Sequence, residues 1–173
     1  MTKFLLPLFM VVILASCCPE PKLLSPEEVE KEKNAIIAVN KAYNVSSEEK
    51  NFSAMVETLA GEVIFFGTDS AEIIRTFADF KTKMLDQWKQ YDKIKYGEMV
   101  DISIQMDKNA TFASMIYGIP CTLTKGGTSS SYFLRVARML KKENDKWVIV
   151  SGIVGLTSNV ALVDTNTLKT GTE

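Results

Sequence analysis

Histidine is missing from all 173 residues. The commonest metal ligand and the commonest general base at neutral pH go with it, so metal chemistry and Ser-His-Asp hydrolysis are not expected. Cysteine is scarce, with three in the chain, two of them adjacent as Cys17-Cys18. Cys121 is therefore left alone, no disulfide framework forms in the body of the chain, and Cys121 reads as a small buried hydrophobe. An excess of positive charge is also lacking: 20 Lys and Arg stand against 21 Asp and Glu, for a net charge of −1. The one local basic pair, Lys141-Lys142, sits beside Glu143 and Asp145, which excludes a nucleic-acid surface. Finally, no apolar run is long enough to span a bilayer, which takes about 20 residues in a helix. The run from Phe4 to Leu14 falls short and is interrupted by Pro7. No cofactor motif is read anywhere in the chain.

That short apolar run carries information of another kind. Lys3 supplies a positive start, Phe4 to Leu14 an apolar stretch, and Ala15-Ser16 the small residues that precede a cleavage point. Leu14-Ala15-Ser16-Cys17 resembles the lipobox of bacterial lipoproteins, in which the cysteine thiol is acylated and becomes the new N-terminus. One acyl chain binds a membrane reversibly, and several on one residue anchor it, at about 0.8 kcal/mol per buried CH₂. The sequence therefore predicts a signal peptide over 1–16, lipidation of Cys17, and a tether over 17–24 that holds the domain on a bacterial membrane, on its periplasmic or cell-surface side. The alternative is plain secretion with two incidental cysteines. The Asn-x-Ser/Thr triplets at Asn44, Asn51 and Asn109 would matter only in a eukaryotic secretory route, against which the lipobox argues.

One domain is expected over 25–157. Ser25-Pro26-Glu27-Glu28 announces a helix, with Ser25 as cap, Pro26 at the first helical position and Glu28 closing a capping box. Ser46-Ser47 is read as the cap of a second, shorter helix that Gly61 ends. Glu62 to Phe66 reads as a brief strand. Asp69 or Ser70 is then taken to cap a long third helix with a stripe of Ile73, Phe77, Phe80, Met84 and Trp88. From Tyr96 the period changes to two, and Val100 to Met106 alternate with polar residues. Three long strands follow, Ala110 to Thr124, Thr128 to Lys142 and Lys146 to Leu156, separated by turns read as Lys125-Gly126-Gly127 and Glu143-Asn144-Asp145. The segment 158–173 is a polar tail, with a short strand conceivable at Val160 to Val163.

Those turns set a register in which Arg135 lies opposite Tyr117 and Ile153, on a face that also holds Phe133, Ala137, Met139, Ser151 and Trp147. That face is apolar apart from Arg135, Ser151 and the Tyr117 hydroxyl, so the helices should cover it. A guanidinium there needs a partner. The partner is either an internal carboxylate, Asp69 or Asp79, or the carboxylate or carbonyl of a ligand. Tyr43 and Tyr117 are the other polar candidates. The opposite face would expose Leu134, Val136, Leu140, Val148, Val150 and Val154, and such a patch predicts a homodimer through the outer face of the sheet, unless the tail folds over it.

The element order, and above all Arg135-Val136-Ala137-Arg138 leading through Glu143-Asn144-Asp145 to Trp147-Val148-Ile149-Val150, resembles the nuclear transport factor 2-like fold and its SnoaL-like branch. The resemblance implies an α+β cone in which three N-terminal helices pack on a curved antiparallel sheet of four long strands plus a short one. Many members carry His where this chain has Ser151 and Ile153, and Thr where it has Ala137. The steroid-isomerase branch places its base near Phe66 or Gly67, neither of which takes a proton. Three readings remain. The first is a non-catalytic domain binding a small apolar or amphipathic ligand through Tyr43, Tyr117, Arg135 and Ser151, with no catalytic residue and no metal. The second is an isomerase or cyclase using Asp69 with a tyrosine. The third is a protein-interaction module of the cell envelope.

Overall fold

The computed structural model describes residues 23–69 and 72–157. The expected signal peptide, the acylated Cys17, most of the tether, the tail and Ser70 lie outside the described residues. Helix α1 spans Pro26–Glu48 and starts as its sequence dictates. The Ser25 amide donates to Glu28 Oε2 at 2.7 Å, and the Glu28 amide donates to Ser25 Oγ at 3.2 Å.

The serines read as the next cap lie inside α1 instead. Ser46 Oγ donates to the Ala42 carbonyl at 2.7 Å, a bond to the preceding turn that lets a serine sit within a helix. The break comes at Lys50, which takes a φ of 54°. Asn51 caps the one-turn helix α2, Phe52–Val56, by accepting from the Ala54 amide at 3.1 Å. Gly61 ends no helix; it lies within strand β1, Leu59–Phe66. A two-residue strand β2, Ile73–Ile74, comes next. Thr76, rather than Asp69 or Ser70, then caps α3, Phe77–Gln90, through the Asp79 amide at 3.1 Å.

Strands β3 (Lys93–Tyr96), β4 (Val100–Met106), β5 (Phe112–Lys125), β6 (Thr128–Glu143) and β7 (Lys146–Leu156) complete the chain. The seven strands form one sheet in the order β2-β1-β7-β6-β5-β3, with β4 sharing the outer side of β5. The architecture is a nuclear transport factor 2-like α+β fold, with helices packed on a curved sheet. That sheet is mixed and not purely antiparallel, because β1 pairs parallel to β7. The first and last strands are joined by no hairpin, so no turn fixes their relative direction.

The expected register of the long strands is off by one residue. Lys125 pairs with Thr128 and Glu143 with Lys146, so both turns have two residues rather than three. Gly126 and Gly127, then Asn144 and Asp145, all take positive φ, as two-residue hairpin turns that match strand twist require. Because side chains alternate, a one-residue slip exchanges the faces. Leu134, Val136, Leu140 and Val154, expected outside, pack in or against the core. Arg135 and Met139, expected inside, are exposed. A bulge adds a further switch on β7: Leu140 pairs with Ile149 but Met139 with Ser151, leaving Val150 unpaired. Trp147 and Ile149 therefore face inward as expected, while Ser151 and Ile153 do not.

Candidate functional site

Between α1, α3, β1 and the inner face of β5 to β7 lies a cavity of about 540 Å³. Apolar and aromatic side chains line it, and the exposed residues Lys83, Asp86, Gln87 and Gln90 of α3 give it one polar side. Phe65 comes from β1, Ile74 from β2, Phe80 and Met84 from α3, Ile119 and Leu123 from β5, and Leu134, Val136, Val154 and Leu156 from β6 and β7. Phe65 and Phe80 pack with ring centroids 5.4 Å apart and stiffen one side.

One charged group reaches the interior. Arg138 on β6 is only 5% exposed and lines the cavity. Its guanidinium carbon lies 5.0 Å from the Tyr43 ring centroid and 4.9 Å from that of Phe65. The cross-strand neighbour makes this possible. Arg138 pairs with Gly152, where a Cβ would come within 2.4 Å of Arg138 Nη1, so the arginine lies across bare backbone. The rings meet the face of the cation but offer its N–H edge no acceptor. Nε is buried without a hydrogen-bond partner, and no ion pair among the described residues includes Arg138.

Tyr43 and the buried Asn44 from α1, Tyr96 from β3, and Tyr117 and Cys121 from β5 bring further polar atoms. Burial raises the Tyr43 phenol above its ordinary range, against the opposing pull of the Arg138 charge, and burial likewise raises Tyr96. Burial also pushes the Cys121 thiol up to about 11, with the Glu48 charge adding to it. Tyr43, Tyr96 and Cys121 are thereby held in their neutral, protonated forms, which can donate hydrogen bonds.

The carboxylates that border the cavity are already engaged. Glu72 Oε2 accepts from the Thr68 and Asp69 amides at 2.9 and 3.3 Å, which closes the turn between β1 and β2. Asp86 pairs with Lys89 at 2.9 Å on the exposed side of α3. Among the described residues no group of His, Cys, Asp or Glu is arranged to hold a metal.

Of the residues expected at the site, Tyr43 and Tyr117 line the cavity. Arg135 does not. It pairs with Gly118 and Gly155, stacks on Phe133 at 4.9 Å, and its Nη1 donates to Asp101 Oδ2 at 3.1 Å on the surface. Neither of its expected internal partners is inside: Asp69 lies in the exposed turn and Asp79 on the exposed side of α3. Ser151 sits in a row with Met139 and Ile64 on the outer face, where the bulge directs it. Asp69 neither caps α3 nor lines the cavity, which removes the carboxylate on which an isomerase reading rested. Arg138, Tyr96 and Gly152 are the residues that the sequence reading passed over.

The SnoaL-like domain family matches residues 36–153, from the middle of α1 to near the end of β7. The chain belongs to the SnoaL-like domain family. No match is found among the curated proteins. Among solved structures, a hexachlorocyclohexane dehydrochlorinase of Novosphingobium barchaimii superposes with a TM-score of 0.66 at 8% identity, over 77% of this chain and 91% of that one. A nuclear transport factor 2-like protein of Pseudomonas putida gives 0.62 at 9% identity, over 73% and 87%. A protein of Nostoc punctiforme with a cystatin-like fold gives 0.61 at 15% identity, over 82% and 100%. At these identities the similarity is one of fold, and a SnoaL-like scaffold serves enzymes as well as binders.

Proposed function

We propose that this SnoaL-like domain is a binding module that holds a small amphipathic molecule in its cavity without transforming it. The observation that carries the reading is the cavity itself: a volume of about 540 Å³ in which apolar and aromatic side chains surround phenol, thiol and amide groups and one buried cation. A general base is what enolisation or elimination would need first. Glu72 and Asp86 are spent on turn amides and on Lys89, so the dehydrochlorinase likeness is carried by the scaffold and not by matching chemistry.

We place the domain on a bacterial membrane, anchored through acylated Cys17, as the lipobox at Leu14 to Cys17 supports. A second copy is the expected partner, through the outer sheet face. The residues for that contact differ from those the slipped register offered. Ile116, Ala137 and Ile153 form one cross-strand row and Met139, Ser151 and Ile64 the next, with Ile64, Ile116, Met139 and Ile153 each about half exposed.

Native mass spectrometry of the full chain extracted from membranes tests the reading. A retained small molecule, released on denaturation, together with a diacylglycerol-modified N-terminal peptide, is the expected result. A protein that carries nothing and binds no apolar probe would overturn it.

A further inference from the structure

We propose that the cavity is built for a carboxylate: an apolar body along β6 and β7, and a carboxyl group on the N–H edge of Arg138. This names the ligand class for the binding role above and rests on it.

Three observations lead there independently of the overall shape. The first is the cation. Arg138 is nineteen-twentieths buried, lines the cavity, and has a buried Nε without a partner. A buried charge held only by ring faces is left incomplete, because the guanidinium presents its five N–H bonds in its own plane. A planar two-oxygen anion fits that fork with two parallel bonds.

The second is the absence of an internal substitute. The ion pairs among the described residues that involve Glu32, Glu48, Asp86 and Asp101 are made with other lysines or with Arg135, at the surface or on α1. Glu72 is occupied by its own turn. The other arginine of β6, Arg135, three residues away on the opposite face, has found its carboxylate outside, in Asp101. Arg138 alone of the two faces the cavity.

The third is the lane leading away from it. On the inner face of β6 the residues after Arg138, moving back along the strand, are Val136 and Leu134. Their partners on β7 are Val154 and Leu156, and all four line the cavity. Two steps of two residues make about 13 Å of apolar wall beginning at a cation. Tyr43, whose ring lies 5.0 Å from the guanidinium carbon, and Tyr117, opposite Val136 on β5, line the same cavity and carry phenol donors.

The test uses the full chain in detergent and a neutral fluorescent reporter of the cavity, phenylnaphthylamine, displaced by decanoate or by decanol. The two competitors share a body and differ in the head group. Decanoate is expected to displace the reporter at about tenfold or more lower concentration than decanol. R138M, which keeps the bulk and removes the charge, abolishes that preference while the reporter still binds. R138K, which keeps the charge and removes the fork, retains part of it. If the reporter binds but decanoate and decanol compete equally, or if the preference survives in R138M, the carboxylate assignment is wrong and the cavity reading stands. If the reporter fails to bind the unaltered protein, the cavity reading itself is wrong. Should R138M lose reporter binding by misfolding, R138K decides: undiminished preference in it speaks against the fork and sinks the assignment.

Discussion

A single side chain can be read only together with what lies opposite it. Arg138 fits the interior because Gly152 leaves room for it, whereas Arg135, an odd number of residues away on β6, falls on the opposite face and lies over Gly118. Cys121 shows the same dependence in its ionisation. Its folded value of about 11 stands above the ordinary 9.0 because burial disfavours the thiolate. The folded state therefore keeps a proton that the unfolded state loses first, and stability falls as pH rises. The contribution is complete below pH 9.0 and is lost on approach to about 11. Thermal unfolding followed from pH 8 to 11 should show a steeper decline for the unaltered protein than for C121A; parallel declines would refute the assignment. At this scale the sequence was legible for residue type and illegible for address. An arginine buried among apolar neighbours was expected at Arg135, but the structure places Arg138, three residues on, in that position and Arg135 at the surface.

The elements explain that displacement. Alternation located β4 to β7 to within a residue or two, and the capping box placed the start of α1, because these are local signals read along one strand or one turn. The length of each hairpin turn is local too, and Gly126-Gly127 between alternating segments is a two-residue signal once the lysine before it is left in the strand. Reading three residues instead of two moved every side chain of β6 to the wrong face. The bulge at Val150 carries no such mark in the sequence.

The helix that roofs the cavity depends on a contact across elements that no local pattern announces. Glu32 on α1 accepts from Lys142 Nζ and from Trp147 Nε1, both at 2.6 Å. Burial pushes its carboxyl up, but the two donors outweigh that and hold it below the usual range. E32Q should lower the free energy of unfolding by about 1–3 kcal/mol, since it weakens two bonds to a partly buried charge. Urea denaturation followed by the fluorescence of Trp88 and Trp147 measures this. An unchanged midpoint would mean that apolar packing alone seats α1.

At the scale of the whole molecule, the proposed dimer rests on the outer sheet face. If the rows of Ile116 and Ile153 meet their copies across a two-fold axis, each substitution is applied twice, and I116E or I153E should convert a dimer into a monomer without loss of secondary structure. Sedimentation of the soluble domain reads the outcome, and a monomer at every concentration before any substitution would refute the dimer. What positions the cavity at this scale is the mixed sheet, and its parallel pair was invisible in advance because its partners are the first strand and the last.

That pairing also governs when the protein can become itself. Apart from the two-residue β2, residues 59–66 find their sheet neighbour in residues 149–153, so the sheet closes across nearly the whole domain. Contacts so distant along the chain form late and slowly. Until the final strand has been made, β1 has only the two residues of β2 beside it, and the nascent polypeptide stays open. On the proposed export route to the membrane anchor at Cys17, a polypeptide that stays open until its last strand is made gains from that delay.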